Sequence, residues 1–216
     1  MKFQAILFDL DGTLLDTLTD LANSMNTVLV RLNLPTHPIN SYRYFIGNGI
    51  ERLVRHSLPE DHRDDKTVSN SLIAMQDEYS KHWIDNTKPY PGVPELLCAL
   101  EKYDIPKAVL SNKPDNFTQI MTKKLLPDQL FNIVQGATPS IPKKPHPAAA
   151  LRIAKKLAIP SHDFLYLGDT NTDMQTANSA GMYAVGVLWG FRDAEELLAS
   201  GAKAIVDKPE DVLALL

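Results

Sequence analysis

"FDLDGTLLDT", residues 8–17, closes an apolar run that starts at Phe3 and ends on two aspartates, Asp9 and Asp11, followed at once by Gly12 and Thr13. Residues two apart on an extended strand point to the same side, so both carboxylates face one place as the strand runs out. Like charges this close resist joint ionisation, and burial penalises each of them. The offset has to come from a metal cation, a bound substrate or a basic side chain. A carboxylate in this position can act as a nucleophile and form an acyl phosphate, while a second carboxyl passes the proton. Gly12 permits a tight turn, and Thr13 adds a hydroxyl.

Further along, "KAVLS" (107–111), "DFLYLG" (163–168), "YAVGVL" (183–188) and "KAIVD" (203–207) join "FQAILF" (3–8) as short apolar runs, and "IVQG" (133–136) is a weaker sixth. Most are continuous rather than alternating, as in strands covered on both faces. Helical patterns lie between them at 93–103, 115–125, 147–157, 173–180 and 193–198. Strands alternating with helices imply βαβ units, hence an α/β protein with a Rossmann-like parallel sheet.

One segment breaks the rhythm. From 17 to 88 there is no strand-like run, and Leu18, Leu21, Met25, Val28, Leu29 and Leu32 recur at helical spacing. The segment is far too long for an ordinary crossover. The expectation is an α-helical cap, 17–88, inserted into a core made of 1–16 and 89–216. The chain returns through "KPYPGVPELL", stiffened by Pro89, Pro91 and Pro94. Ligands of open parallel sheets lie beyond the carboxyl ends of the strands, so an insertion leaving from the first strand is expected to serve as a lid.

The other strand ends carry matching chemistry. "VLSNKP" ends on Ser111 and Asn112, whose hydroxyl and amide can bond a phosphoryl oxygen. "PKKPHP" offers Lys144, a compact cation suited to a transferring phosphoryl group. "FLYLGDTNTD" ends on Gly168 and Asp169, with Asp173 one helical turn later. Hard oxygen donors without clustered cysteine or histidine favour Mg²⁺, with Asp9 and Asp169 as carboxylate ligands. His146, inside "KPHP", reads as a loop residue.

In this order, Asp9, Asp11, Gly12 and Thr13, then Ser111, Lys144, and the Asp169 and Asp173 pair resemble the four motifs of the haloacid dehalogenase superfamily. The resemblance spans essentially the whole chain, and the insertion is similar to the helical cap of one large subgroup. It implies that Asp9 is the nucleophile and Asp11 the general acid and base. Thr13, Ser111, Asn112 and Lys144 would surround the phosphoryl group, and Mg²⁺ would lie beside Asp9, Asp11, Asp169 and Asp173. "YFIGNGIERLV", "SNKPDNF" and "LWGFRDAEELLASGAKAIVDKPEDV" resemble the subgroup that hydrolyses 2-phosphoglycolate, a small phosphorylated metabolite. In "IGNG", Gly47 and Gly49 let backbone N–H groups approach an anion, so Arg43, Gly47, Asn48, Gly49 and Arg52 are candidate cap specificity residues. Two related activities stay open, a phosphatase of broad range and a mutase like β-phosphoglucomutase, although Thr13 argues mildly against the mutase. A receiver-type regulator phosphorylated on aspartate lacks the inserted cap and uses a later strand.

Composition narrows the partners. The chain has 216 residues, 44% of them hydrophobic, with a formal net charge of −4 and no run of more than two basic residues. That gives no support for nucleic acid or an anionic membrane as main partner. Cys98 is the only cysteine, which excludes an intrachain disulfide and points to a reducing compartment. It lies in the helical pattern "PELLCALEKY" and is expected to be a small buried hydrophobe. No signal peptide or membrane span is visible, so the expected location is the cytoplasm.

Overall fold

The computed structural model describes residues 2–127 and 130–216. Contacts divide the chain into two compact units, one formed by the residues up to Leu15 together with Pro89–Leu216, the other by Asp16–Lys88. The first crossing thus falls one residue before the 16/17 boundary read from sequence.

The larger unit holds a parallel sheet of six strands, β1 (Ala5–Phe8), β4 (Lys107–Pro114), β5 (Ile133–Ala137), β6 (Phe164–Gly168), β7 (Tyr183–Val187) and β8 (Ala204–Val206), in spatial order β5-β4-β1-β6-β7-β8. Taken in sequence the six lie in the order 3-2-1-4-5-6 of the doubly wound fold, so the strand order reverses between β1 and β6. A ligand crevice is expected outside the carboxyl ends of those two strands, where Asp9 and Asp169 follow.

All four side chains of β1 are buried. Ala5 and Leu7 join Ala108, Leu110, Phe164, Tyr166 and Ala184 on one face, packed against Ala149, Ala150 and Ile153 of α6 (Ala148–Leu157) and Met174 and Ala177 of α7 (Asn171–Ser179). Burying Ile6, Leu7 and Phe8 stabilises the fold by about 1.5–3 kcal/mol each. That is enough to hold a desolvated Asp9 at the strand end, whose burial costs several kcal/mol. The remaining helices of this unit are α4 (Val93–Glu101), α5 (Asp115–Leu125) and α8 (Ala194–Ala199).

Two local readings differ from expectation. β4 continues past Ser111 to Pro114, because its polar end residues Ser111, Asn112 and Lys113 are themselves buried and partnered. Cys98 is exposed rather than buried. The apolar stripe of α4 is Val93, Leu96, Leu97 and Leu100, and position 98 falls off it.

The smaller unit is helical, with α1 (Leu18–Arg31), α2 (Ile50–Ser57) and α3 (Asp65–His82). α1 buries Leu21, Met25, Val28 and Leu29 and lies against α3. Asp64 caps α3 by accepting the Thr67 N–H at 3.0 Å. Asp20, at the start of α1, is buried and accepts from the backbone N–H of Asn86 at 3.0 Å and its side-chain amide at 2.8 Å. It also accepts both donors of Thr87. The first turn of α1 is thereby tied to the residues just before the chain returns. The two crossings themselves, β2 (Leu15–Asp16) and β3 (Lys88–Pro89), form a two-stranded ribbon. Among the described residues, no helix is long and apolar enough to cross a membrane.

Candidate active site

Asp9 follows β1 directly, with its N–H bonded to the Leu167 carbonyl of β6 at 2.9 Å and its Oδ1 accepting the Leu10 N–H at 2.7 Å. Lys144 Nζ lies 2.8 Å from Asp9 Oδ1 and 2.7 Å from Asp173 Oδ1, and it donates to the Leu110 carbonyl at 3.1 Å. The ammonium is buried and all its donors are directed. The other oxygen of Asp173 accepts the N–H and hydroxyl of Thr170, which closes the first turn of α7, and Tyr166 OH reaches Oδ1 at 3.3 Å.

Asp169 is held from two sides. Thr13 Oγ1 donates to its Oδ1 at 3.0 Å and the Phe191 N–H to its Oδ2 at 2.9 Å. Two glycines make room for it. Gly12 has φ +88°, and a Cβ there would collide with the Asp169 carboxylate; a Cβ on Gly190 would strike the Asp169 side chain and the Gly12 carbonyl. Trp189 Nε1 donates to the Thr13 carbonyl at 2.9 Å, bracing the same turn.

Among the described residues, Asp9, Asp169 and Asp173 form a buried carboxylate group with oxygens within 4.8 Å of one another. Three formal negative charges against the single positive charge of Lys144 leave an excess that the interior does not tolerate. Burial first, then the Asp173 charge, raises the pKa of Asp9 well above the carboxylate range, with Lys144 opposing. Burial and Asp173 push Asp169 up to about 7, against the Phe191 N–H and the Thr13 hydroxyl. Burial works against the Lys144 charge, but Asp173 and Asp9 outweigh it and raise its pKa well above that of an ordinary lysine. A hard divalent cation fits this set of oxygens and this charge excess.

The remaining expected residues take more particular places. Asn112 spends both side-chain atoms on the backbone of Lys144, accepting its N–H at 2.9 Å and donating to its carbonyl at 3.0 Å. One N–H and the carbonyl oxygen of the amide thus hold the lysine loop. The Thr13 hydroxyl is likewise directed to Asp169. Asp11 lies outside the three-carboxylate group and pairs with Lys113 Nζ at 2.9 Å and 3.2 Å. Ser111 Oγ accepts the Lys113 N–H at 3.2 Å. His146 is an exposed loop residue whose ring nitrogen accepts the Ala148 N–H. Arg43, Gly47, Asn48, Gly49 and Arg52 belong to the helical unit, at and around the N-terminus of α2, where Gly47 and Gly49 both have positive φ.

A family model described as haloacid dehalogenase-like hydrolase matches residues 6–187. The chain belongs to that family. This hydrolase is 33% identical over 207 residues to a phosphoglycolate phosphatase of Pseudomonas syringae, covering 94% of this chain and 75% of that protein. It is 32% identical over 209 residues to a phosphoglycolate phosphatase of Nitrosospira multiformis, covering 95% and 92% of the two. Its fold superposes on a crystal structure titled a predicted phosphoglycolate phosphatase from Haemophilus somnus with TM-score 0.90 at 31% identity, over 100% of this chain and 98% of that one. Family and relatives make this hydrolase a phosphatase.

Lys113 was not singled out from sequence. Its signal was available: it stands two residues after Ser111 on the same strand, so it projects to the same side as the hydroxyl. Phe191, Gly190 and Trp189 also escaped, since Phe191 acts through its backbone N–H, Gly190 through the absence of a side chain, and Trp189 on a backbone carbonyl far away in sequence.

Proposed function

We propose that this phosphatase hydrolyses 2-phosphoglycolate, with Mg²⁺, through a phosphoryl group carried on Asp9. The reading rests on one observation above all: Asp9 lies buried at the reversal of strand order, beside the Lys144 ammonium and within the three-carboxylate group. An oxygen of Asp9 attacks phosphorus while the ester P–O bond breaks, and Asp11 gives a proton to the leaving oxygen. Water then attacks the same phosphorus, Asp11 takes its proton back, and the Asp9–phosphorus bond breaks. Lys144 balances charge on the transferring group, and Ser111 bonds one of its oxygens. Asp9 and Asp169 would hold the cation, which when bound neutralises charge on phosphoryl oxygens. Asp173 fixes Lys144, Thr13 orients Asp169, and Asn112 anchors the lysine loop. The substrate comes from the relatives' names and from the stretches outside the catalytic motifs.

A phosphate-release assay with Mg²⁺ across a panel of phosphomonoesters, ranked by kcat/KM, tests this. The highest value is expected for 2-phosphoglycolate. A flat ranking would indicate a phosphatase of broad range, and transfer to a sugar hydroxyl without phosphate release would indicate a mutase. In the same panel, replacing Asn48 or adding bulk at Gly49 is expected to alter the ranking unevenly, as specificity residues do.

A further inference from the structure

We infer that Lys113 is a positioning residue for Asp11, holding the proton-carrying carboxyl in line with the leaving oxygen; this rests on the role proposed above for Asp11. A lysine at a strand end ordinarily extends its charge to water. Here the side chain is 4% exposed and its ammonium meets both oxygens of Asp11, at 2.9 Å and 3.2 Å. Burying an ammonium costs several kcal/mol unless it is well paired, so the pair is a commitment of the fold rather than a surface coincidence.

The backbone aims the side chain. β1 and β4 are neighbours with Phe8 opposite Val109, and past the last paired residues the Lys113 ammonium reaches across from β4 to Asp11. The pairing of β4 with β5 shifts register between Leu110 and Pro114, an irregularity of the kind that re-aims a side chain near an active site. The Lys113 N–H is fixed by Ser111 Oγ at 3.2 Å, and its carbonyl accepts the Thr118 hydroxyl at 3.3 Å.

An ammonium offers donors and no acceptor, so it can bond the carboxyl oxygen that is not handling the proton. That serves both half-reactions. As the ester P–O bond breaks, one Asp11 oxygen delivers its proton while Lys113 holds the other. When water attacks, the same oxygen recovers a proton with the carboxylate still in place. Loss of such a hold lets the carboxyl rotate, and a displacement of about 1 Å costs on the order of 10² in rate.

The test compares Lys113→Met with wild type on two esters, the alkyl phosphate that wild type cleaves best and p-nitrophenyl phosphate, whose leaving group departs without a proton. kcat/KM is read because it covers the step in which the leaving group departs. The expected loss is on the order of 10² for the alkyl ester and at least tenfold smaller for the aryl ester, with Lys113→Arg recovering part of it. Added to Asp11→Asn, Lys113→Met is expected to cost no more than about threefold, because the two act as a unit. Equal losses on both esters, or losses that multiply in the double variant, would overturn the inference. Lys113→Gln replaces the Met variant if thermal unfolding shows that the latter has lost its fold. Asp11→Asn alone separates the two claims: wild-type cleavage of the alkyl ester by that variant would remove the proton-transfer role itself.

Discussion

The carboxylate of Asp20 accepts the backbone N–H of Thr87 at 2.8 Å and the Thr87 hydroxyl at 2.7 Å. With the two donors of Asn86, this gives a buried anion met by neutral groups on the returning chain. Removing the acceptor would orphan both buried donors of Thr87 at once. Asp20→Ala is expected to lower unfolding stability by about 3 kcal/mol or more, and Thr87→Val by about 1–2 kcal/mol. Among the described residues the buried hydroxyls of Thr17 and Thr122 find no hydrogen-bond partner, so Thr17→Val and Thr122→Val are expected to be neutral or stabilising. Urea unfolding of the four variants checks the contrast, and an Asp20→Ala protein as stable as wild type would contradict it.

Asp9→Asn and Asp11→Asn are expected to fail at different steps. The amide at position 9 is a poor nucleophile, so no phosphoenzyme forms. At position 11 the nucleophile survives, and the loss is the roughly 10²–10⁴-fold contribution of proton transfer. With acetyl phosphate, whose leaving group needs no proton, Asp11→Asn should still carry phosphate on the peptide containing Asp9, and hydrolysis should lag. Mass spectrometry after rapid quench reads this directly. A phosphate adduct in Asp9→Asn would refute the assignment of the nucleophile.

Cation binding is expected to strengthen with pH. Burial, with the Asp173 charge, lifts the pKa of Asp169 from 3.8 to about 7. A carboxyl whose pKa is higher folded than unfolded holds its proton more tightly in the fold, so its contribution to stability is lost as pH rises from about 4 through 7. A divalent cation has to displace that proton. Its apparent affinity is expected to fall by up to about tenfold per unit below pH 7. Thermal unfolding titrated with Mg²⁺ at several pH values measures both effects, and a shift in Tm independent of pH would count against Asp169 as a ligand.

Gly12→Ala and Gly190→Ala are expected to disable cation binding while leaving Asp9 and Lys144 in place. Each added methyl meets Asp169, and at position 12 the positive φ adds backbone strain. The readout is the Mg²⁺ concentration needed for half-maximal activity, which should rise at least tenfold. An unchanged requirement in both variants would show that the Asp169 carboxylate can move aside freely.

The sheet, the helical insertion and the charged strand ends were legible because each leaves a local signature: continuous apolar runs, helical spacing, and aspartates two apart at a strand end. What escaped depends on partners distant in sequence. The hold of Asn112 on the backbone of Lys144 joins residues 32 apart, and the pairing of Lys113 with Asp11 joins residues 102 apart, so neither leaves a local signature. Cys98 failed for a narrower reason. Its neighbours fit a helix, but the helix has one buried stripe, and the cysteine is not on it.

The parallel pairing of Ile6 with Lys107 has a consequence for synthesis. Made from the N-terminus, β1 emerges long before either of its sheet neighbours exists, and the whole of Asp16–Lys88 is translated in between. Closing so long a loop as open chain is entropically costly, whereas a helical segment that folds early on its own local contacts brings the two ends of the gap together first. Until then Ile6, Leu7 and Phe8 are an unpaired apolar strand, the kind of segment that aggregates or recruits chaperones on the ribosome.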